Sequence, residues 1–407
     1  MIPERAPGHN EVASPLPKGW RWVRLGEVCH IIAGQSPPGE TYRKETAGLP
    51  FFQGKADFGR LHPVARMWCV SPVKMALPGD ILISVRAPVG PTNVADVKCC
   101  IGRGLTAIRA REVADGSFVL AFLRLTQPRL AALGSGSTFS AINRADIEGL
   151  LMPLPPLPEQ QRIAALLTEQ MAAVEEARAA AEAQLEATKA LPATYLREVF
   201  ESQEAKGWPR KTLGDAGKII SGVTLGRRLN GTTRPVRYLR VANVKDGYLD
   251  LSDVYETEAT EGEIEKLRLR FGDLLLTEGG DPDKLGRGTF WQEEIRECIH
   301  QNHIFRVRFD LTRIAPYFVA AQLASWYGKS YFLAHAKQTT GIATINQRVL
   351  GGFPLMLPPF SEQQRIATRL DDQMAAAEQL RRTLEEQLDH LNKLPAALLR
   401  RAFSGEL

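Results

Sequence analysis

The chain has 407 residues, with 44% hydrophobic and 24% charged residues and a net charge of +5, values ordinary for a soluble globular protein and unlike those of a fibre or a disordered chain. Five cysteines without a C-x-x-C pair indicate reduced thiols in a cytoplasm rather than a disulfide framework. The N-terminus lacks the apolar core of a signal peptide, and no apolar run approaches the ~18 residues of a membrane span.

Residues 1–157 are predicted to form a mixed α and β domain. Short apolar runs alternate there with Gly, Pro, Asn and Asp, which is typical of strands and loops, and a helical pattern covers Ser117 to Leu133. A long helix is predicted next, because no Gly or Pro occurs between Pro158 and Pro192. Pro192 ends that helix and can start a short one, Ala193 to Phe200.

The second half of the chain is predicted to repeat this organisation. The segment Glu159–Ala164, with sequence EQQRIA, returns as Glu362–Ala367, 203 residues later. A helical pattern at Pro316 to His335 precedes a second long helix from Ser361 to Leu394, and a short helix follows Pro395. Two copies of one module suit a long ligand, of which nucleic acid is the first to consider.

Both long helices carry an apolar period of 3.5 residues over four heptads, which predicts that they supercoil around each other. The predicted seam comprises Ile163, Leu167, Gln170, Val174, Ala177, Ala181, Gln184, Thr188 and Leu191, with Ile366, Leu370, Gln373, Ala377, Leu380, Leu384, Gln387, Leu391 and Leu394. The glutamines either pair across the two helices or lie at the edge of the seam and reach water.

Charge follows the repeat. Residues 1–157 contain 18 basic and 12 acidic residues, and residues 204–360 contain 22 and 18. The helical segments 158–203 and 361–407 contain 4 basic and 8 acidic, and 7 basic and 8 acidic, residues. Two basic domains joined by non-basic connectors fit two footprints on one DNA duplex, because Lys and Arg neutralise phosphates.

The sequence contains no recognisable catalytic constellation. Leu357–Phe360 lacks the Asn, Asp or Ser that amino-methyltransferases place before Pro-Pro, and Pro282-Asp283 lacks the downstream acid and lysine of a metal-dependent nuclease. Gly102–Gly104 is a lone G-x-G triplet, better explained as a turn. His300 and His303 have no matching Cys or carboxylate cluster for zinc. These failures favour a binding protein.

Three segments resemble the specificity subunit of type I restriction-modification enzymes: residues 153–164, their repeat at 354–367, and the closing Ala402–Leu407. The resemblance covers almost the whole chain. It implies an α+β fold with two similar target-recognition domains, 1–157 and 204–360. Two spacer regions, 158–203 and 361–407, would alternate with them and pair as an antiparallel coiled coil with pseudo-two-fold symmetry.

The resemblance implies a non-catalytic DNA-recognition subunit without a metal or cofactor of its own. Each domain would read one half of a split, asymmetric target in double-stranded DNA, with helix length setting the unread spacer. Two methyltransferase subunits holding S-adenosylmethionine would dock on the spacers, and one or two motor-nuclease subunits using ATP and Mg²⁺ would join them. The alternatives are a fused methyltransferase-nuclease partner, a coiled-coil scaffold that does not bind DNA, or an enzyme with an unfamiliar site.

The candidate DNA-contacting residues are polar and basic residues in loops that repeat between the two domains, since Arg and Lys suit guanine or phosphate while Asn and Gln suit adenine. A solvated surface role is the alternative for each of them. The first domain contributes Gln35, Ser36, Arg43, Lys44, Lys55, Arg60, Ser135, Ser137 and Thr138. The second contributes Thr224, Arg227, Arg228, Asn243, Lys245, Lys337, Gln338 and Thr339.

Overall fold

We analysed a computed structural model of the chain, which describes residues 16–134, 141–280, 285–339 and 342–407. The chain divides into two compact units. Unit 1 comprises residues 1–182 and 386–407, and unit 2 comprises residues 183–385. No helix in the described residues is long and apolar enough to cross a membrane.

Unit 1 contains a central antiparallel sheet, a smaller mixed sheet and a two-stranded ribbon. Its strands are β1 Arg21–Arg24, β2 Cys29–Ala33, β3 Tyr42–Arg43, β4 Leu49–Phe52, β5 Trp68–Cys69, β6 Met75–Ala76, β7 Ile81–Ser84, β8 Thr92–Val94, β9 Cys99–Ile101, β10 Leu105–Ala110 and β11 Leu151–Leu154. Its helices are α1 Leu25–Val28, α2 Gly116–Gly134 and α3 Arg144–Glu148, followed by the long helix α4 Leu157–Thr188, which begins here and ends in unit 2.

The central sheet of unit 1 has the order β2-β10-β7-β8, and the smaller sheet has the order β3-β5-β4-β9-β6. Strand β7 is buried on both faces because its side chains alternate between two cores. Ile81 and Ile83 pack in one core with Phe118 of α2, whereas Leu82 packs with Phe52 of the smaller sheet. The sheet is therefore sandwiched between a helical layer and a second sheet.

Unit 2 repeats these elements. Its strands are β12 Arg210–Thr212, β13 Gly217–Ser221, β14 Thr233–Leu239, β15 Tyr255–Thr260, β16 Leu274–Thr277, β17 Gly279–Gly280, β18 Gly288–Phe290, β19 Cys298–His300, β20 Ile304–Phe309, β21 Lys337–Thr339, β22 Ile342–Thr344 and β23 Pro354–Met356. Its helices are α5 Leu191–Phe200, α6 Gln203–Lys206, α7 Leu213–Ala216, α8 Glu261–Leu267, α9 Pro316–Ala324, α10 Trp326–His335 and α11 Gln347–Gly351, with the long helix α12 Phe360–Ser404 beginning here and ending in unit 1.

The central sheet of unit 2, β13-β20-β16-β18, has the same order of equivalent strands as the central sheet of unit 1. Leu274 and Leu276 pack against the helical layer, while Leu275 packs with Trp291 on the other face. The parallel pair β14 and β19 corresponds to the parallel pair β4 and β9. The predicted α+β class with two similar domains is confirmed.

The ends of the helical segments lie in the cores of the units. In unit 1, Phe403 near the end of α12 packs on Phe118, with ring centroids 4.8 Å apart, and shares that core with Ile163 at the start of α4. In unit 2, Phe200 of α5 packs on Phe318 at 5.5 Å and shares that core with Ile366 at the start of α12. In each unit the start of one long helix thus meets the end of the other helical segment, as antiparallel pairing predicts.

The compact units do not coincide with the four predicted segments. Each unit contains one predicted recognition domain together with parts of both predicted spacers. The reason is that the spacer ends are buried with the domains, as Phe403 and Phe200 show. The boundaries of the recognition domains stay a prediction.

The predicted 3.5-residue seam is wrong at four positions in the two long helices. Gln184 and Gln387 are exposed, Leu380 is 46% exposed and Leu394 is 40% exposed. The partly or fully buried stripe passes instead through the neighbouring positions: Leu185, Arg381, Leu388 and Pro395. A straight α-helix drifts by about 20° per heptad relative to a 3.5-residue repeat, so its buried stripe moves to the next residue after a few turns.

The other seam positions, some of them later in the same helices, are buried or half-buried as predicted. Ile163, Leu167, Val174, Ala181 and Thr188 are buried in α4, and Gln170, Ala177 and Leu191 are half-buried. In α12, Ile366, Leu370, Ala377 and Leu384 are buried, and Gln373 and Leu391 are half-buried. The Oε1 atom of Gln170 is buried without a hydrogen-bond partner, so the proposed glutamine pairing is not formed there.

The two prolines predicted to end the long helices, Pro192 and Pro395, differ in their effect on the helix. A turn at residues 189–190 separates α4 from α5, which begins at Leu191 and carries Pro192 in its first turn, as predicted. Helix α12 runs through Pro395 without a break, so the prediction that Pro395 ends it is wrong. Leu399 and Phe403, beyond the proline, are held in the core of unit 1, and this packing keeps the last turns aligned despite the missing backbone donor. The helical pattern at 316–335 is likewise divided, at Ser325, whose hydroxyl caps α10.

A buried glutamine attaches the start of each long helix to its unit. The Gln160 side chain accepts a hydrogen bond from Asp115 N (2.8 Å) and donates to the carbonyl oxygens of Val113 (3.1 Å) and Pro155 (2.9 Å). Gln363 accepts from Ala315 N (3.1 Å) and donates to the carbonyl oxygens of Arg313 and Pro358 (3.2 and 2.9 Å). These are the first of the two adjacent glutamines in each EQQRIA repeat.

Substituting Gln160→Ala is expected to lower the free energy of unfolding by about 2–3 kcal/mol, because it leaves one donor and two acceptors of the backbone buried without partners. The exposed neighbour provides the matched control, since Gln161→Ala removes an equal volume from the solvent side. Urea denaturation of the full chain measures both variants. Equal stability of the two variants would contradict the anchoring role.

Candidate nucleic-acid interface

Five loops of unit 1 meet at one end of its central sheet. We define the rim of unit 1 as residues 34–36, 53–54, 85–86, 102–104 and 141–142. Backbone hydrogen bonds join these loops to one another and to the adjacent strands: Gln35 N to Ile101 O (3.0 Å), Gly102 N to Phe52 O (2.8 Å), Val85 N to Gly104 O (3.0 Å) and Ile142 N to Val85 O (3.0 Å). The loops are far apart in sequence, so their meeting is a product of the fold.

The rim of unit 2 is built by the same bonds. It comprises residues 222–224, 240–241, 278–280, 301–303 and 344–345. The equivalent hydrogen bonds are Val223 N to His300 O (2.8 Å), Gln301 N to Leu239 O (2.9 Å), Glu278 N to His303 O (3.0 Å) and Ile345 N to Glu278 O (2.8 Å). The two units therefore present matched loop surfaces, and a position in one rim can be compared directly with its counterpart in the other.

A matched glycine allows the loops of each rim to approach. A Cβ atom on Gly34 would lie 2.2 Å from the Gly102 carbonyl oxygen, and one on Gly222 would lie 1.8 Å from the His300 carbonyl oxygen. Real Cβ atoms do not come so close to backbone atoms, so these positions require glycine. The repeated Gly34 and Gly222 are therefore explained by the close contact between the loops.

The rim of unit 1 exposes cationic and amide side chains. Arg86 and Arg103 are exposed and make no ion pair within the described part of the chain. Gln35 is exposed beside them without a side-chain partner in the described residues, and Gln53 is exposed with its Nε2 3.9 Å from Met67 Sδ. None of the rim residues carries a carboxylate, and the nearby Asp57 accepts hydrogen bonds from the backbone of Gln53 and Gly54. Free guanidinium and amide groups suit contacts to phosphates and base edges.

The rim of unit 2 differs in its side chains. His303 Nδ1 lies 2.6 Å from Glu278 Oε2, so the histidine already has an acidic partner. The guanidinium of Arg240 pairs with Asp253 at 2.7 Å and lies 3.7 Å from the centroid of the Tyr255 ring. The side chain of Asn302 is half-buried and makes no hydrogen bond to the described residues. Free amide groups rather than free arginines therefore distinguish this rim.

The structure places some predicted contact residues on the rims. Gln35, Ser36 and Thr224 are rim residues, and the Ser36 Oγ accepts a hydrogen bond from Arg103 N at 3.3 Å. Lys55 is exposed directly after Gly54 of the rim of unit 1. Lys337 is exposed on β21, in the same sheet as the rim strand β17. Their contact with DNA stays a prediction.

Other predicted residues lie elsewhere. Arg43 is on β3 at the edge of the smaller sheet, where its guanidinium donates to the carbonyl oxygens of Glu40 and Tyr42, and Lys44 is exposed after it. Arg60 is exposed in a turn outside the rim, and Arg228 is exposed after the rim residue Thr224. The structure gives only the backbone of Gln338 and Thr339, and Ser135, Ser137 and Thr138 lie outside the described residues.

Three predicted contact residues have partners within the protein, and for two of them, Asn243 and Arg227, this corrects the predicted contact with DNA. Asn243 is 3% exposed and its side chain accepts from Arg240 N and donates to the carbonyl oxygens of Asp250 and Asp253. Arg227 forms two hydrogen bonds with Glu263, at 2.7 and 2.8 Å. Lys245 is half-buried, with its Nζ 3.9 Å from Asp250. We remove Asn243 and Arg227 from the candidate set because their polar groups are already satisfied.

The ion pair between Arg227 and Glu263 explains the low pKa of the Glu263 carboxyl group. The guanidinium of Arg227, with the Thr260 backbone N–H, lowers the pKa of Glu263 to about 2. Arg227 also donates to the carbonyl oxygens of Thr224 in its own loop and Glu258 in β15. Together with the Glu263 pair, these bonds tie the loop after the rim to β15 and α8. Its role here is to hold the loop in place.

Sequence reasoning missed Arg86, Gln53 and Arg103 in unit 1 and Gln301 and Asn302 in unit 2. The sequence repeat did contain one indication that the turn residues Arg103 and Asn302 are equivalent. The repeat aligns Ile101 and Gly104 with His300 and His303, which puts Arg103 and Asn302 at the same position. The other residues lie on loops whose convergence no local pattern reveals.

His300 is not a ligand of a metal site in the described residues. It is fully buried, and burial together with the neighbouring Arg306 lowers its pKa to about 3, so the ring is neutral. No group of three or more His, Cys, Asp or Glu residues that could hold a metal is found in the described chain. His300 therefore belongs to the core beneath the rim.

The chain was compared with known proteins. Residues 17–186 match the family model of the type I restriction modification DNA specificity domain. A Methanocaldococcus jannaschii protein, described as a candidate specificity subunit of the type I restriction enzyme MjaX, is 47% identical over 37% of this chain and 36% of its own length. The type I restriction enzyme EcoKI specificity subunit of Escherichia coli is 24% identical over 97% of this chain and 90% of that protein.

Among solved structures, an HsdS subunit from Thermoanaerobacter tengcongensis is 54% identical over 41% of this chain and 42% of that chain, with a TM-score of 0.38. Residues 17–186 thus match a DNA specificity domain, and most of the chain is similar in sequence to type I restriction enzyme specificity subunits.

Substitutions of two adjacent residues, Arg227 and Arg228, distinguish a role in stability from a role in DNA binding. Arg227→Ala is expected to lower the free energy of unfolding by about 1–2 kcal/mol, because Glu263 loses a bidentate partner that is mostly shielded from water. Arg228→Ala, at the exposed neighbour, is expected to leave stability unchanged and to weaken DNA binding, lowering the slope of log affinity against log salt by about 1.

Urea denaturation and fluorescence anisotropy with a duplex at several salt concentrations measure these effects. The assignment is wrong if the two substitutions affect stability equally.

Proposed function

We propose that the chain is the non-catalytic DNA-recognition subunit of a type I restriction-modification complex, in which the two rims read the two halves of a split target in double-stranded DNA. The observation that carries this proposal is the pair of matched rims, built by equivalent hydrogen bonds in a chain similar in sequence to specificity subunits. Two similar but chemically different surfaces suit two different half-sites, and so an asymmetric target.

The side chains of the rims support direct contact with DNA. Arg86 and Arg103 in unit 1 are exposed and free of ion pairs, so they can meet phosphates or guanine edges without breaking an internal contact. Many other arginines are engaged with acids, including Arg109 with Asp80 and Arg308 with Asp273. The unpaired guanidinium groups of the rim of unit 1 are therefore available to DNA.

Partners would supply the chemistry. We propose that two methyltransferase subunits, with S-adenosylmethionine in their own folds, dock on the long helices. Each would flip an adenine out of one half-site to modify it. One or two motor-nuclease subunits, using ATP and Mg²⁺, would join the complex for cleavage. The complex would act in the cytoplasm, where the DNA lies.

The test is to co-express the chain with a methyltransferase subunit from the same genome in a host that lacks adenine methylation, and to map modified adenines by single-molecule sequencing. The proposal predicts one split motif methylated on both strands. The methyltransferase expressed without the chain is the control and should give no such motif. An assembled complex that methylates nothing would contradict DNA reading and favour a protein scaffold.

The long helices are proposed to set the distance between half-sites. Inserting seven residues after Ala181 in α4 and after the equivalent Leu384 in α12 adds about 10 Å to each helix and turns its face by only about 20°. The methylated motif is expected to gain about three base pairs in its unread gap, at ~3.4 Å per pair, with both half-sites unchanged. Insertion in one helix alone, the control, should disrupt the pairing. A motif whose half-sites change would contradict this role.

A further inference from the structure

We propose that Arg103 and Asn302 are matched specificity-determining residues, with Arg103 contacting a guanine in one half of the target and Asn302 contacting an adenine in the other. The inference rests on the proposed function, because it assigns bases within the DNA target. It goes beyond that function by naming the position in each rim that determines sequence preference.

The two residues occupy the same position in the two units. Each is the first residue of the two-residue turn that leads into a long central strand, β10 in unit 1 and β20 in unit 2. The residue before each turn residue donates a backbone hydrogen bond to an equivalent strand end, Gly102 to Phe52 and Gln301 to Leu239. Arg103 and Asn302 therefore present different side chains at equivalent positions of the two rims.

The backbone of each turn is fixed while its side chain is free. Arg103 N donates to Ser36 Oγ at 3.3 Å, and Asn302 N donates to Val223 O at 2.9 Å. The guanidinium of Arg103 is exposed and the amide of Asn302 is accessible in part, and neither group bonds to another described residue. A fixed backbone limits the entropy lost when the side chain meets a base, which favours specific contact.

The chemistry of the two side chains differs in a way that bases distinguish. Arginine donates two hydrogen bonds to the O6 and N7 atoms of guanine in the major groove, whereas asparagine accepts from N6 and donates to N7 of adenine. The surroundings differ as well, because Arg103 makes no ion pair in the described residues while Glu278 and His303 pair beside Asn302. The rim of unit 1 thus suits a guanine-containing half-site.

The competing role for Arg103 is contact with a phosphate. A phosphate contact carries no sequence information, so its loss would weaken binding to every sequence alike. A base contact would instead change the preference at one position of one half-site. The two roles therefore give different results in an experiment that reads the motif rather than the affinity alone.

The experiment is to map the methylated motif for Arg103→Ala, Arg103→Asn and Asn302→Ala, each co-expressed with the methyltransferase subunit. The control variant is Arg111→Asn, an exposed arginine at the opposite end of β10 from the rim. Unfolding midpoints equal to that of the unsubstituted chain confirm that each variant is folded.

We expect Arg103→Ala to reduce the preference for guanine at one position of one half-site by about fivefold to 150-fold. Arg103→Asn should shift that position toward adenine. Asn302→Ala should reduce the preference for adenine at one position of the other half-site, and Arg111→Asn should leave the motif unchanged. In each variant the unaltered half-site is an internal control.

An unchanged motif in the Arg103 and Asn302 variants, or a uniform loss of methylation across all sequences, would overturn the inference. A change of both half-sites by one substitution would also overturn it. These outcomes differ from a failure of the proposed function, in which the unsubstituted chain would itself give no split motif.

Discussion

The buried glutamine at the start of each long helix is the constraint on which the rest of the structure depends. Gln160 binds three backbone groups that belong to the strand end before the helix and to the loop before α2, and Gln363 makes the equivalent bonds in unit 2. A primary amide offers two donors and an acceptor in fixed geometry, so these bonds set the position of the helix start on its unit. Since the amide is fully buried, water cannot replace any of them.

The central sheet connects this anchor to the rim. Strand β10 begins beside the rim at Leu105, and the chain that follows it supplies two of the groups bound by Gln160. Its six residues extend about 20 Å. A buried carboxylate stiffens the same strand, because Asp80 accepts two hydrogen bonds from Arg109, at 2.7 and 2.8 Å. Asp273 and Arg308 repeat this pair in unit 2. Within each unit, the loops of the rim are therefore fixed relative to the start of a long helix.

Much of this organisation could be predicted from the sequence, because it depends on local patterns and on duplication. The EQQRIA repeat located both long helices. The seam was predicted at most of its positions but not at all of them, since a 3.5-residue period cannot reveal that a straight helix carries its buried face to Leu185 rather than Gln184.

It was harder to predict which polar side chains are free to contact DNA. Arg227 looked as available as Arg228 in the sequence, but Glu263, 36 residues away, pairs with Arg227 in the fold. Asn243 looked like an adenine reader and instead ties a turn together through the backbone. The repeat aligns Arg103 with Asn302, but only hydrogen bonds between distant loops show that both residues lie on the rims. Composition identifies polar loops, whereas long-range contacts decide which side chains remain free.

The most direct test of the account is hydroxyl-radical footprinting of the chain, in its complex with the methyltransferase subunit, on a duplex that contains its methylated target. The account predicts two protected segments separated by an accessible one, with protection of only one segment weakened when Arg86 and Arg103 are both replaced by alanine. A single continuous footprint, or equal weakening of both segments by these substitutions in unit 1, would contradict the claim that each rim reads its own half of the target.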